Sequence, residues 1–409
     1  METTTRNATL ADLADILTEQ HDRKLDVVTP ATAIRSQQGI LRIEGTDFEF
    51  DPTDGVRETP GTFRPTAVCD EGIADKLGVP VQYLKKMRIN RPDLYDANVN
   101  GWLHGRSKVR HAVPNSGNLP RTEVIHPADE RNFLIRTFRG LEGGTGIARA
   151  FLSNGYKIID NLDVLTAALE GVEQAGAKIE IEGCDLTDRR MYVRIVAPEV
   201  TAMAPTLLEG YRSPFDQGIA RAGHAETGPT VGDQGLPIVF AGFVLSNSET
   251  GGGAFTIVPR LVVQICRNGL TITKDATRAV HLGAKLDEGV VKWSEDTQTK
   301  NLELIAAKAR DAVATFLDGD YMTKAISELE EKAARPVNDP AKTVTMIGQT
   351  LRFSEDRISG VLNHFIRGGQ VNAGGVLNAV TSYAQTVDDA DEAFDIENQA
   401  IKAFELAAR

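Results

Sequence analysis

The sequence predicts an α+β protein in which antiparallel hairpins form one or two sheets with packed helices, followed by a mostly helical C-terminal region. Two periodicities carry that expectation. Between about residues 26 and 272 apolar residues recur at every second position in short runs, separated by Gly, Asn, Asp and Ser, as in half-buried strands. Beyond about residue 295 they recur at three- and four-residue intervals instead. Hydrophobic residues at 41% and charged residues at 25% are those of an ordinary globular chain, and 409 residues allow two or three cores.

In chain order, Thr9 caps a helix over Leu10–Leu17, with residues 10, 13, 16 and 17 on one apolar stripe. Extended segments follow at Asp26–Val28, Ile40–Ile43 and Phe48–Phe50, the last two read as a small hairpin turning at Glu44–Asp47. Thr66 caps a helix ending at Gly78, and Pro80 opens another around Val81–Met87. Asn132–Phe138 and Ile147–Leu152 read as strands around a glycine-rich loop, and Asp163–Leu169 as a helix. A second hairpin pairs Ala177–Ile181 with Met191–Val196 through an exposed connection, Glu182–Arg190. Residues 201–236 read as a long mobile loop. Pro237–Ser246 and Gly253–Cys266 form a third hairpin, and Arg267–Gly269 turns into Leu270–Ile272. Helices are expected over Asp296–Phe316, Tyr321–Ala334, Ala341–Gly348, Glu355–Ile366, Gly374–Tyr383 and Asp389–Ala408. The expected domains are residues 1–65, an N-terminal helix and small hairpin; 66–295, an α+β core with hairpins; and 296–409, the helical region.

Composition narrows the function classes. No apolar run approaches a membrane span, and no basic stretch followed by an apolar one opens the chain, so a cytoplasmic location without membrane partners is expected. Cys69, Cys184 and Cys266 form no C-x-x-C pair; each is expected to fill a small apolar space. The net charge of −12 opposes a uniformly basic binder, but it is unevenly spread. Residues 81–149 hold 12 Lys/Arg against 6 Asp/Glu, whereas residues 285–409 hold 14 against 21. That asymmetry fits a basic working face and an acidic helical remainder.

Familiar chemical motifs do not emerge. Gly140–Gly146 lacks the Lys and hydroxyl of a phosphate loop and reads as a hairpin loop with positive-φ glycines. Asn247, Ser248 and Glu249, ahead of Gly251–Gly253, lack the G-x-S-x-G of a nucleophile elbow. They read as a hairpin tip whose backbone closely approaches a contact surface. The seven histidines form no zinc spacing, so neither a metal nor another cofactor is expected. Cations at strand spacing are more suggestive. Arg106, Lys108 and Arg110 alternate, which an extended backbone places on one face suited to a phosphate backbone. Arg136 lies in an alternating strand, with Arg139 and Arg149 beside its connection and Arg189 and Arg190 in the next exposed turn. Tyr156 offers a stacking surface for an unpaired base.

Several phrases resemble the phage/plasmid-like protein family catalogued as a domain of unknown function. They are Gly78–Tyr83, Asn98–Leu103, Arg149–Tyr156 with Ile159–Asn161, Ser246–Gly251, Cys266–Leu270 and Asn378–Tyr383, in the family's order over about residues 66–390. The family often continues past the last phrase with a histidine, where this chain has Gln385-Thr386. The resemblance implies a mobile-element origin, in a host cytoplasm, without implying an activity. Hairpins followed by a long helix are also loosely similar to single-strand annealing proteins of the Rad-fifty-two and RecT type, which assemble as rings or filaments around a basic groove. The leading expectation is therefore a non-catalytic, homo-oligomeric protein that binds or anneals single-stranded DNA. One alternative is a protein that binds or assembles with a phage or host protein. The other is a metal-dependent hydrolase with dispersed carboxylates.

Overall fold

The computed structural model describes residues 3–52, 55–110, 121–156, 159–215, 237–263, 269–271, 277–279 and 294–409, with the backbone alone described at 51, 106–110, 121–126, 142, 269–271, 277–279 and 295. Two large sheets, one two-stranded ribbon and twelve α-helices make up the described residues, an α+β fold with a helical C-terminal region.

The first sheet is antiparallel. It runs β1 (Thr5–Ala8), β10 (Glu180–Leu186), β11 (Met191–Met203), β12 (Ile238–Asn247), β13 (Phe255–Val263) and β14 (Gly269–Thr271), and β15 (Thr277–Ala279) also pairs with β13. The second runs β2 (Lys24–Pro30), β8 (Asn132–Phe138), β9 (Gly146–Ser153), β5 (Gly55–Pro65), β4 (Ile40–Asp51) and β3 (Ile34–Gln37), with only β5 and β9 parallel. β6 (Arg106–Arg110) and β7 (Arg121–His126) form the ribbon.

Each sheet gains its core from the helices beside it. α2 (Ala67–Leu77), α3 (Val81–Asn90) and α4 (Pro92–His104) pack Ile73, Leu84 and Val99 on Leu41, Ile43, Ile135 and Phe151 of the second sheet. Asp70, fully buried, ties these helices together by accepting from Arg88 at 2.6 Å and from the Tyr95 hydroxyl at 3.0 Å. On the first sheet, α1 (Leu10–Arg23), α5 (Asn161–Gln174) and α7 (Glu295–Phe316) cover Val193, Phe243, Leu245 and Ile257. Gly171 of α5 lets α7 approach so closely that an added Cβ would lie 2.1 Å from the Ala306 carbonyl oxygen.

The rest of that face, at Val239, Ala241, Leu261 and Val263, is covered by the C-terminal bundle. α6 (Pro205–Leu208) joins α8 (Gly319–Ala333), α9 (Pro340–Leu351), α10 (Glu355–Gly368), α11 (Ala373–Ala384) and α12 (Ala390–Ala407) in this cluster. Helices α7 to α12 all begin with a side-chain cap: Ser294, Asp318, Asp339, Ser354, Asn372 and Asp389, each accepting a first-turn amide.

The hairpins around residues 140, 187 and 250 stand as expected, and Cys69 and Cys184 are buried free thiols. Three expectations require correction. Glu44–Asp47 is a bulge within the single strand β4, because the Thr46 hydroxyl donates to the Ile43 carbonyl at 2.7 Å and accepts the Gly61 amide at 3.0 Å. The chain reverses instead between Asp51 and Gly55. Residues 201–203 complete β11, 205–208 form α6, and the buried Tyr211 holds the following segment on the bundle, so no mobile loop begins at 201; residues 216–236 lie outside the described residues. Finally, β1 pairs with β10 while β2 pairs with β8, so residues 1–65 contribute to both large sheets and do not pack by themselves. No helix among the described residues is long and apolar enough to cross a membrane.

Candidate functional site: a buried ionic junction

Strand β8 reads Phe133-Leu-Ile-Arg136-Thr-Phe138, a single cation within an apolar run. Its partners explain it. Arg136 is 0% exposed and bonds Asp26 of the neighbouring β2 in bidentate fashion, Nε and Nη2 each 3.0 Å from a carboxylate oxygen. The same Nη2 donates to Asp160 Oδ1 at 2.6 Å, at the start of α5, and Nη1 donates to the Glu249 carbonyl oxygen at 2.8 Å, in the β12–β13 turn. One guanidinium therefore joins the second sheet to a helix and a turn of the first.

The remaining charges are arranged around it. Lys24 Nζ donates to Asp160 Oδ2 at 2.5 Å. Arg149 donates to the Glu249 carboxylate and stacks over the Phe138 ring, 4.0 Å from its centroid. The Asn161 amide donates to Glu249 Oε2 at 3.0 Å, and the Asn247 side chain donates to Asn161 Oδ1 at 2.9 Å. Three cations thus meet three carboxylates: Lys24, Arg136 and Arg149 against Asp26, Asp160 and Glu249. Burial alone raises the Asp160 carboxyl, but Arg136 and Lys24 outweigh it and hold it down at about 2. Burial likewise disfavours the charged Arg136, and Glu249, Asp26 and Asp160 reverse that effect, raising it.

The turn from Asn247 to Gly253 is built to reach this point. Asn247, Ser248, Glu249 and Thr250 are all buried. The Ser248 hydroxyl donates to the Arg189 carbonyl at 2.7 Å and accepts the Gly252 amide at 2.8 Å. A Cβ on Gly252 would meet Arg189 Cγ at 2.7 Å, so glycine admits the adjoining turn. The close approach expected of this tip is thus made within the protein, and Asn247, Ser248 and Glu249 face their own fold rather than a partner.

Among the candidates whose side chains are described, the cations do not converge into a groove. Arg136 and Arg149 are buried and neutralised, so neither can lie against a phosphate. The turn carrying Arg189 and Arg190 is half-buried rather than exposed, because β10 continues to Leu186. Arg189 pairs with Glu71 of α2 at 2.6 Å and Arg190 donates to the Gly252 carbonyl. Arg139 is exposed at the end of β8. Tyr156 is half-buried in a cleft beside Gly251, where burial raises its phenol. Arg106, Lys108 and Arg110 do lie on an extended strand, but their side chains fall outside the described residues. Lys24, Asp26, Asp160 and Asn161 escaped the sequence reading as a set, since no local pattern joins positions over one hundred residues apart. The lone cation in an apolar strand was the available signal.

Space around the junction limits its chemistry. Two cavities of about 10 Å³ touch Arg149 and Phe138, each sized for a single water. Two larger clefts, about 760 and 510 Å³, share Val68, Glu71 and Arg189. Carboxylates line the first, but Asp391 accepts the Tyr192 and Thr187 hydroxyls, and Asp389 caps α12. Among the described residues no group of three His, Cys, Asp or Glu side chains could hold a metal ion. What the junction does is hold two sheets together.

Asp160 gives that role a pH signature. Its folded pKa of about 2 lies below the ordinary 3.8, so its stabilisation is complete above about pH 4 and is lost as pH falls through about 2. Urea midpoints for Asp160→Asn should be lower than wild type above pH 4, with the two curves approaching each other between pH 4 and 2. Parallel curves through that window would remove the ion pairs from the account.

The chain matches no protein-family model, no curated protein and no solved structure.

Proposed function

We propose that this chain is a non-catalytic assembly protein whose copies associate through the projecting arm of β4 and β5. The observation carrying this reading is the arm's apolar end. Phe48, Phe50 and Val56 are 59%, 74% and 70% exposed, and Phe50 and Val56 are cross-strand partners. Alternation puts Phe48 and Phe50 on one face of β4, beside Val56. β3 covers β4 only over Ile40–Ile43, and β9 covers β5 only over Phe63–Pro65, so the arm beyond the bulge is a two-stranded hairpin. Such hairpins are marginal in water, and an exposed apolar patch on one is a common mark of a binding surface.

The internal pairing of cations supports the same choice. Besides the junction, Arg88 pairs with Asp70, Lys85 and Arg189 with Glu71, Arg194 with Asp185, and Arg260 with Glu182. Kinship with the phage/plasmid-like family and a cytoplasmic setting belong to this proposal as well, on the strength of the sequence phrases alone. In sedimentation runs over a concentration series, wild type should associate, whereas Phe48→Ser combined with Phe50→Ser should stay monomeric with unchanged circular dichroism. Association that ignores both substitutions would place the contact elsewhere.

A nucleic-acid role has one remaining support, the β6–β7 ribbon, where Arg106, Lys108, Arg110 and Arg121 stand against Glu123. Four phosphate contacts on single-stranded DNA predict a log–log salt slope of about −3 in gel titrations. Absence of a shift at low salt would end that reading.

A further inference from the structure

Resting on the assembly reading, we infer how the copies join: β4 of one copy adds as a strand to β6 of the next. Both edges are open among the described residues. Asp47–Asp51 pairs with β5 alone, and β6 pairs with β7 alone. Each open stretch is five residues long. Adding a strand to an open edge satisfies backbone groups that otherwise face water, and it is a recurrent mode of recognition.

Charge selects the pairing. The free stretch of β4 reads Asp47-Phe-Glu49-Phe-Asp51, and β6 reads Arg106-Ser-Lys108-Val-Arg110. Laid antiparallel, every acid falls opposite a cation: Asp47 with Arg110, Glu49 with Lys108 and Asp51 with Arg106. Phe48 then falls opposite Val109. Within the separate pairs, Glu49 is opposite Arg57 and Lys108 is opposite Glu123. The central row of the joined sheet therefore reads Arg57, Glu49, Lys108, Glu123, alternating in sign across all four strands. Arg110 and Arg121 are register partners within the ribbon, two like charges at one cross-strand position that an incoming Asp47 would offset.

The obvious competitor fails on the same ground. Pairing β4 with β4 of another copy antiparallel about Glu49 sets three acids against three acids, with Asp47 opposite Asp51 and Glu49 opposite itself. Cross-strand like charges are destabilising. An arm-to-ribbon contact is heterologous, because each copy offers two different surfaces, so it propagates into a ring or an open filament and does not stop at a dimer.

Charge reversal tests this on the full chain. Sedimentation at low salt is compared for wild type, Glu49→Lys, Lys108→Glu and the variant carrying both. Each single reversal should weaken association roughly tenfold. The double variant should regain it, and an equimolar mixture of the two single variants should associate as well. Recovery in the double variant also answers the objection that a single variant misfolds. Singles that associate like wild type overturn the arm–ribbon pairing; if association is still lost with the two Phe→Ser changes, the assembly reading stands. A wild type that remains monomeric throughout overturns both. If Lys108→Glu abolishes a nucleic-acid shift while leaving association unchanged, the ribbon belongs to nucleic acid and the inference is overturned.

Discussion

One buried guanidinium organises this protein. Arg136 lies in the second sheet, yet it is held by Asp160 at the head of α5 and by the backbone of Glu249 in the β12–β13 turn, both elements of the first sheet's half of the molecule. A desolvated charge is tolerated only when its partners are in place, so the junction ties the relative position of the sheets to the satisfaction of six charges. Loss of any partner leaves an uncompensated charge in a region with room for little more than single waters. Such an arrangement favours one geometry over nearby alternatives, and it makes the two halves depend on each other.

The same arrangement decides how the chain's cations are used. Residues 81–149 carry an excess of Lys and Arg, which in sequence suggests a basic face. In the fold, Arg136, Arg149, Lys85 and Arg88 are committed to carboxylates from other segments. Two features remain, an acidic arm whose Phe48, Phe50 and Val56 are exposed and a ribbon whose sequence is rich in cations; their sequences are chemically complementary.

Most elements were legible because their signals are local. Thr9 with Asp12 forms a reciprocal capping box at α1, and the three- and four-residue apolar spacing beyond residue 295 marked the helical region in advance. The strand character of Arg106–Arg110 was likewise readable from alternation. What failed was long-range. The bulge at Thr46 depends on Gly61, fifteen residues away, so Glu44–Asp47 looked like a chain reversal. Arg136 depends on Asp26 and Glu249, more than one hundred residues away on either side, so it looked like a candidate phosphate contact. The polar turn at Asn247–Glu249 was recognised as a close approach, but its target, the protein's own second sheet, could not be named from spacing alone.

The claim that Arg136 couples the sheets is most directly tested by native-state hydrogen exchange on Arg136→Met, a substitution of similar length that leaves Asp26, Asp160 and Glu249 without this cation. Breaking a buried ion pair costs about 3–5 kcal/mol. Amides of β8 and β9 and those of β12 and β13 should therefore lose protection together, by roughly a hundredfold to a few thousandfold. Loss confined to β8 and its immediate neighbours, with the first sheet protected as before, would contradict the account.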